Sequence, residues 1–391
     1  MPWLLHAPPW VPEGERRSEG IERPKRRADQ ISTVAERELG KLASRFCTQV
    51  LDQGWETTVR QARGPSNISP DVRGLPHKAA RLLEHLHCRG ASVPTATPPW
   101  ARQQRDCATL RGAHQSSLAE HEFVYSEMVN FCNQGYWMVL PYSAVQQLPN
   151  LRISPLGVVP QRDRRPRLIV DYTFSGVNQE TVPLAPREAM QFGRALQRVY
   201  RKIVRANPKF WPVHMAKIDI ADGFYRVWVN HSDIPKLGVA LPVSASGERW
   251  VAFPLALPMG WVESPPYFTS LTEAACDLAY QQLRNDASLP AAHRLETVAA
   301  TAPSALDALP PARPPFAFRL TPETVQTPTT AYTDVYVDDF LLLAQTQHKQ
   351  RQVLRAALHS IDAVFRPLDR ADHPTRKEPA SVKKILKGDA S

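Results

Sequence analysis

The stretch "VYVDDFLLLA", Val335–Ala344, sets two acids side by side inside an apolar run. A run of this kind reads as strand, and its interruption at Asp338-Asp339 reads as the turn between two strands, "AYTDVYV" and "FLLLAQ". Adjacent carboxylates in apolar surroundings are costly, because each loses hydration and the two repel. A cation removes both costs. Two hard oxygen ligands at one tight turn suit Mg²⁺, which completes its shell with water and phosphate oxygens.

A third acid is available in "AKIDIADGFY", where Asp219 ends a second apolar strand and Asp222 follows three residues later. If the two strands lie side by side, Asp219 faces the Asp338-Asp339 turn. Three carboxylates converging on two ions about 3.5–4 Å apart make a site for in-line phosphoryl displacement. The competing reading is a plain hairpin turn, where acids are common.

The rest of the chain sets limits. It has 391 residues, a net charge of +10 and 37 prolines. A basic balance favours nucleic acid as a partner. The five cysteines show no paired spacing, and "HLHC" (His85, His87, Cys88) lacks the second pair that a zinc site needs. The proline-broken start "MPWLLHAPPW" has no signal-peptide layout, and no apolar run approaches the ~20 residues of a membrane span. The expectation is an intracellular protein, cytoplasmic or nuclear, neither secreted nor in a membrane. No G-x-G-x-x-G or Walker loop is present, so neither dinucleotide-binding nor P-loop folds are supported.

Two domains are expected. Residues 1–110 read as a Pro/Arg-rich N-terminal extension, partly disordered, with order beginning near Gly112. Residues 111–391 alternate helices and strands, with an Ala/Pro-rich insert at about 285–330. "YRVWV" (225–229) reads as a short strand.

The order "KIDIADGFY", "LPMGWVESPPYF", "YVDD" resembles the palm motifs of reverse transcriptases of the retroviral and LTR-retrotransposon type. "RPRLIVDYTFSGVN" upstream resembles that family's fingers segment. The resemblance covers roughly residues 115–390. It implies an α+β fold of right-hand polymerase type, fingers and palm, with an antiparallel sheet backed by helices. It implies RNA-directed DNA synthesis on an RNA or DNA template with a primer, from dNTPs, with two Mg²⁺ or Mn²⁺ ions.

Carried over by position, Asp219, Asp338 and Asp339 are the metal-binding catalytic acids. Asp222 and Gly223 border the nucleotide, and Phe224 falls at the steric gate against a 2′-hydroxyl. Arg167 matches the arginine that grips the triphosphate, and Arg165 beside it is assigned to template. Pro258, Met259 and Gly260, with Trp261, match the loop against nucleotide and template, and Tyr336 packs beneath the primer end.

Met259 stands where many relatives carry Gln. Lys377 and Lys383 lie in a basic segment, and the expectation is a chain without the thumb and RNase H region that usually follow it. Two rival readings remain: an inactive remnant that at most binds nucleic acid, and an RNA-dependent RNA polymerase, against which Phe224 speaks.

Overall fold

The computed structural model describes residues 33–162, 164–184, 190–210, 212–285, 288–300 and 328–386. Most of the Ala/Pro-rich insert, and residues 1–32 of the N-terminal region, lie outside them.

In chain order the principal elements are α1 (Val34–Gln53), α2 (Trp55–Arg63), α3 (Ala80–Arg89), α4 (Arg102–Arg111), α5 (His121–Asn133), β1 (Trp137–Pro141), β2 (Ile153–Gln161) and β3 (Arg164–Val170). There follow α6 (Ala195–Val204), β4 (His214–Ile220), β5 (Gly238–Ala240), β6 (Trp250–Pro254), α7 (Ser264–Asn285), β7 (Ala331–Tyr336), β8 (Asp339–Ala344), α8 (Gln347–Val364) and β9 (Ala380–Leu386). The class is α+β, as expected. The described strands form two sheets rather than one: a five-stranded sheet in the order β1-β6-β5-β2-β3 and a four-stranded sheet in the order β7-β8-β4-β9. The second is antiparallel throughout. The first departs from the expected all-antiparallel pattern, because β2 runs parallel to β5 over Ile153–Pro155.

The four-stranded sheet is built from half-apolar sequence. Along β4, Ile218 and Ile220 are buried while Lys217 and Asp219 are half-exposed, the period-2 alternation of a strand with one covered face. Helices α7 and α8 pack on each other and against β7 and β8. In α8 the buried Val353, Leu354, Ala357, Leu358, Ile361 and Val364 recur every three or four residues, and Thr346 caps its start by accepting from Lys349 N at 3.1 Å.

Packing does not break at residue 110. Leu39, Leu42, Ala43 and Phe46 of α1 lie in the same hydrophobic core as β1 and β6. Trp55 meets Phe253 edge to face at 5.4 Å and donates to His231 O at 2.8 Å. Ile68 bridges to Phe365, and Ala91 to Val229. The described residues before Gly112 are therefore part of the packed fold. Pro65, Pro76, Pro94, Pro98 and Pro99 occupy the connections between its short helices. "YRVWV" is also not a strand. Gly223–Arg226 form a 3₁₀ turn. The buried Arg226 guanidinium holds it by donating to Ala221 O (2.8 Å) and Lys377 O (2.9 Å).

In α7, burial pushes the Glu273 carboxyl up from its ordinary 4.5 to about 7; Asp277 adds to this, and the Gln191 N–H opposes it. The native state then holds a proton that the unfolded chain has lost. Stability should fall as pH rises from about 4.5 through 7 and level off above. Glu273→Gln should remove that slope. Its unfolding midpoint should match wild type at pH 4 and exceed it at pH 8, as thermal melts across the range would show.

No helix among the described residues is long and apolar enough to cross a membrane.

Candidate active site

β4 and β8 are antiparallel neighbours in a register that sets Asp219 directly opposite Asp339. β7 and β8 form a hairpin in which Tyr336 pairs with Asp339, leaving Val337 and Asp338 as the two turn residues. A two-residue hairpin needs positive φ at its first central position, which Gly or Asn usually supplies. Here Val337 takes it, at φ 56°. A β-branched residue is strained in that region by about 1–3 kcal/mol. Ile220 N donates to Asp338 O at 2.9 Å, which fastens the turn to the end of β4.

All three acids are half-buried. Burial raises the Asp338 pKa above the ordinary carboxylate range, and the charges of Asp339 and Asp219 push it the same way. The Lys217 ammonium lies 2.5 Å from Asp339 Oδ2. Asp222 is in the left-handed region at φ 63° and is held from two sides. Tyr136 Oη donates to its Oδ2 at 2.7 Å, and Lys377 Nζ meets its Oδ1 at 2.6 Å. The Tyr136 ring stacks on Tyr225 at 4.7 Å. A Cβ on Gly223 would stand 3.9 Å from Asp338 Oδ2, so this turn lies against the acid pair. Phe224 is half-buried and meets Phe268 edge to face at 5.3 Å. Tyr336 is exposed and sits against Phe192 at 5.7 Å.

A second neighbourhood forms where the loop after β6 meets the end of β3. Gly260 has φ 101°, and a Cβ there would lie 2.3 Å from Val170 O. Asn178 Nδ2 donates to Gly260 O at 3.0 Å, and Asn178 Oδ1 accepts from Val262 N at 3.0 Å. The close approach that requires this glycine is therefore to the chain's own β3. Met259 is exposed.

Pro258 and Trp261, expected at primer or template, lie inside the fold. Pro258 is buried. Trp261 is 1% exposed, donates to Thr181 Oγ1 at 3.1 Å and stacks on Tyr267. Both anchor the loop from beneath. On β3, Arg167 is exposed opposite Val159. Arg165 is exposed too, but is tied down by an ion pair with Glu127 and lies over the Phe123 ring at 5.6 Å.

Three carboxylates share one turn and its facing strand; burial, and then its acidic neighbours, push Asp338 toward protonation, and the Lys217 ammonium sits on Asp339. Among the described residues, no three His, Cys, Asp or Glu side chains are gathered closely enough to be a formed metal site.

Sequence reading missed Lys217, Tyr136 and β9. Lys217 carried a signal, since it lies two residues before Asp219 and so on the same strand face. Tyr136 carried none, because 86 residues separate it from Asp222.

No family model matches the chain, and no curated protein does. Among solved structures it is similar to the prototype foamy virus protease-reverse transcriptase CSH mutant. Identity there is 15% and the TM-score 0.38, over 86% of this chain and 33% of that one. The native form of that protein gives 15% identity and a TM-score of 0.35, over 86% and 33%. The foamy viral protease-reverse transcriptase dRH, solved in complex with double-stranded DNA, gives 14% identity and 0.36, over 88% and 44%. The chain thus spans a third to under a half of the length of these proteins.

Proposed function

We propose that this chain is the fingers and palm of a retrotransposon-type RNA-directed DNA polymerase, a nucleotidyltransferase that extends a primer with dNTPs. One observation carries the reading: Asp219 stands opposite Asp339 across β4 and β8, with Asp338 in the adjoining turn. In this reading Asp219, Asp338 and Asp339 hold two Mg²⁺ or Mn²⁺ ions. When bound, the ions activate the primer 3′-hydroxyl and offset charge on the triphosphate and the leaving pyrophosphate.

The chain's own side chains do the rest. Arg167 suits triphosphate oxygens, since a guanidinium binds them in a bidentate way. Asp222, pinned by Tyr136 and Lys377, fixes the Gly223 turn that presents Phe224. The Phe224 ring, braced by Phe268, limits room for a 2′-hydroxyl. Met259 and Gly260 border the nucleotide and template, and Tyr336 supports the primer end.

The gate gives a test that a nucleic-acid-binding remnant would fail. Phe224→Val should raise the use of NTP relative to dNTP by about tenfold or more, the scale on which pocket size discriminates between similar substrates. The readout is the ratio of kcat/KM values in single-nucleotide extension. An active enzyme whose ratio stayed unchanged would remove Phe224 from that role.

A further inference from the structure

We infer that the outward face of α6 is a docking surface for single-stranded nucleic acid, a contact surface away from the acid turn that stands whether or not the acids catalyse. The segment Gln191–Phe210 carries six cationic residues, Arg194, Arg198, Arg201, Lys202, Arg205 and Lys209, and no acidic one. Helical spacing sorts them into two groups. On the inner side, Val199 joins a small apolar cluster with Tyr332 and Leu343. Arg198 donates to both oxygens of Asp334, at 2.8 and 2.6 Å, and the Lys202 ammonium lies 5.0 Å from the centre of the Tyr332 ring. These two cations hold the helix to β7, the edge strand of its sheet.

The other side points outward. Leu196, Tyr200 and Val204 form one exposed row at four-residue spacing, and Gln197, Arg201 and Arg205 form the next. Tyr200 is 65% exposed, between Leu196 at 69% and Val204 at 58%. Among the described residues, Arg194, Arg201, Arg205 and Lys209 enter no ion pair. The charge has one sign throughout, which fits a polyanion. An exposed ring flanked by aliphatic side chains adds a platform for flat apolar faces. Unpaired bases present such faces, and a duplex hides them. The row from Leu196 to Val204 is about 12 Å long, the length of three to four stacked nucleotides. Phe192, just before the helix, meets Tyr336 at 5.7 Å, so the face begins beside the acid turn and leads away from it along β7.

The test is fluorescence anisotropy of a short labelled oligo(dT), titrated with the full chain across a range of salt. It needs no turnover. Tyr200→Ala should weaken binding about five- to 150-fold, the scale of one lost base–ring stack, and leave the salt dependence unchanged. Tyr200→Phe keeps the ring and should bind like wild type. Arg201→Gln combined with Arg205→Gln should weaken binding at low salt and lower the log–log salt slope by about 1.4, for two phosphate contacts at about 0.7 each. On a duplex of equal length, Tyr200→Ala should change nothing. Wild-type affinity in both the Tyr200→Ala and the double arginine variant would overturn the surface and leave the reading of the acid site untouched. An equal loss on duplex would overturn the preference for a single strand. Sedimentation of the free chain covers the remaining occupant. A dimer that Tyr200→Ala dissociates would mean that a second copy covers this row, and would overturn the proposal.

Discussion

Asp338→Asn is expected to cut dNMP incorporation by at least about 10²–10³-fold, the scale of losing one group that stabilises transition-state charge. The same change should leave the unfolding midpoint at pH 7 unchanged or higher. The two effects have one cause. Asp338 is half-buried, and both burial and its acidic neighbours disfavour its charge. A neutral isostere relieves that cost in the folded state and removes the oxygen charge that a cation needs. A residue kept only for the turn would behave differently, losing stability and activity together. Thermal melts beside single-turnover extension separate the two cases.

Gly260→Ala should produce the largest loss of stability. Its φ of 101° is hostile to a side chain, and the new Cβ would stand 2.3 Å from Val170 O. Backbone strain of about 1–3 kcal/mol and overpacking of similar size apply together, so a cost of about 2–6 kcal/mol is expected. That corresponds to a midpoint about 2–7 °C lower. The clash can be relieved only by moving backbone. Either the 258–262 loop lifts, losing its bonds to Asn178, or the end of β3 shifts. Arg167 lies three residues from Val170 on that strand, so the KM for dNTP should rise as well. Gly74→Ala is the control. Nothing lies within 4 Å of a Cβ there and its φ is unexceptional, so the melt should not move.

The strands that carry the acids were legible because strand chemistry is local. β4 and the β7–β8 hairpin are apolar runs ending at carboxylates, and an acid at the end of such a run is conspicuous. Pairing Asp219 with Asp339 needed only the assumption that the two runs are neighbours. The misses are long-range. α1 to α4 looked detached because prolines and charges fill their connections, yet each helix contributes apolar residues that only tertiary packing collects. β9 is short and mixes lysines with aliphatics. Its identity as a strand comes from β4, whose free edge it completes. Trp261 and Pro258 were placed at primer and template because they match the family's loop by position, which says nothing of burial. Their burial follows from the turn at Gly260, which sends the chain back under the loop. Val337 defied turn preferences altogether, a local rule overridden at the tip that carries the acids.

The central claim is that the acids on β4 and β8 carry out nucleotidyl transfer. Its most direct measurement is dTMP incorporation on a poly(rA)/oligo(dT) template-primer in Mg²⁺ or Mn²⁺, comparing wild type with Asp219→Asn. The account predicts primer extension by the wild type and a loss of about 10²–10³-fold or more in the variant. Equal extension by both proteins, or none by a wild type that binds the template-primer, would contradict it and leave a chain that holds nucleic acid without acting on it.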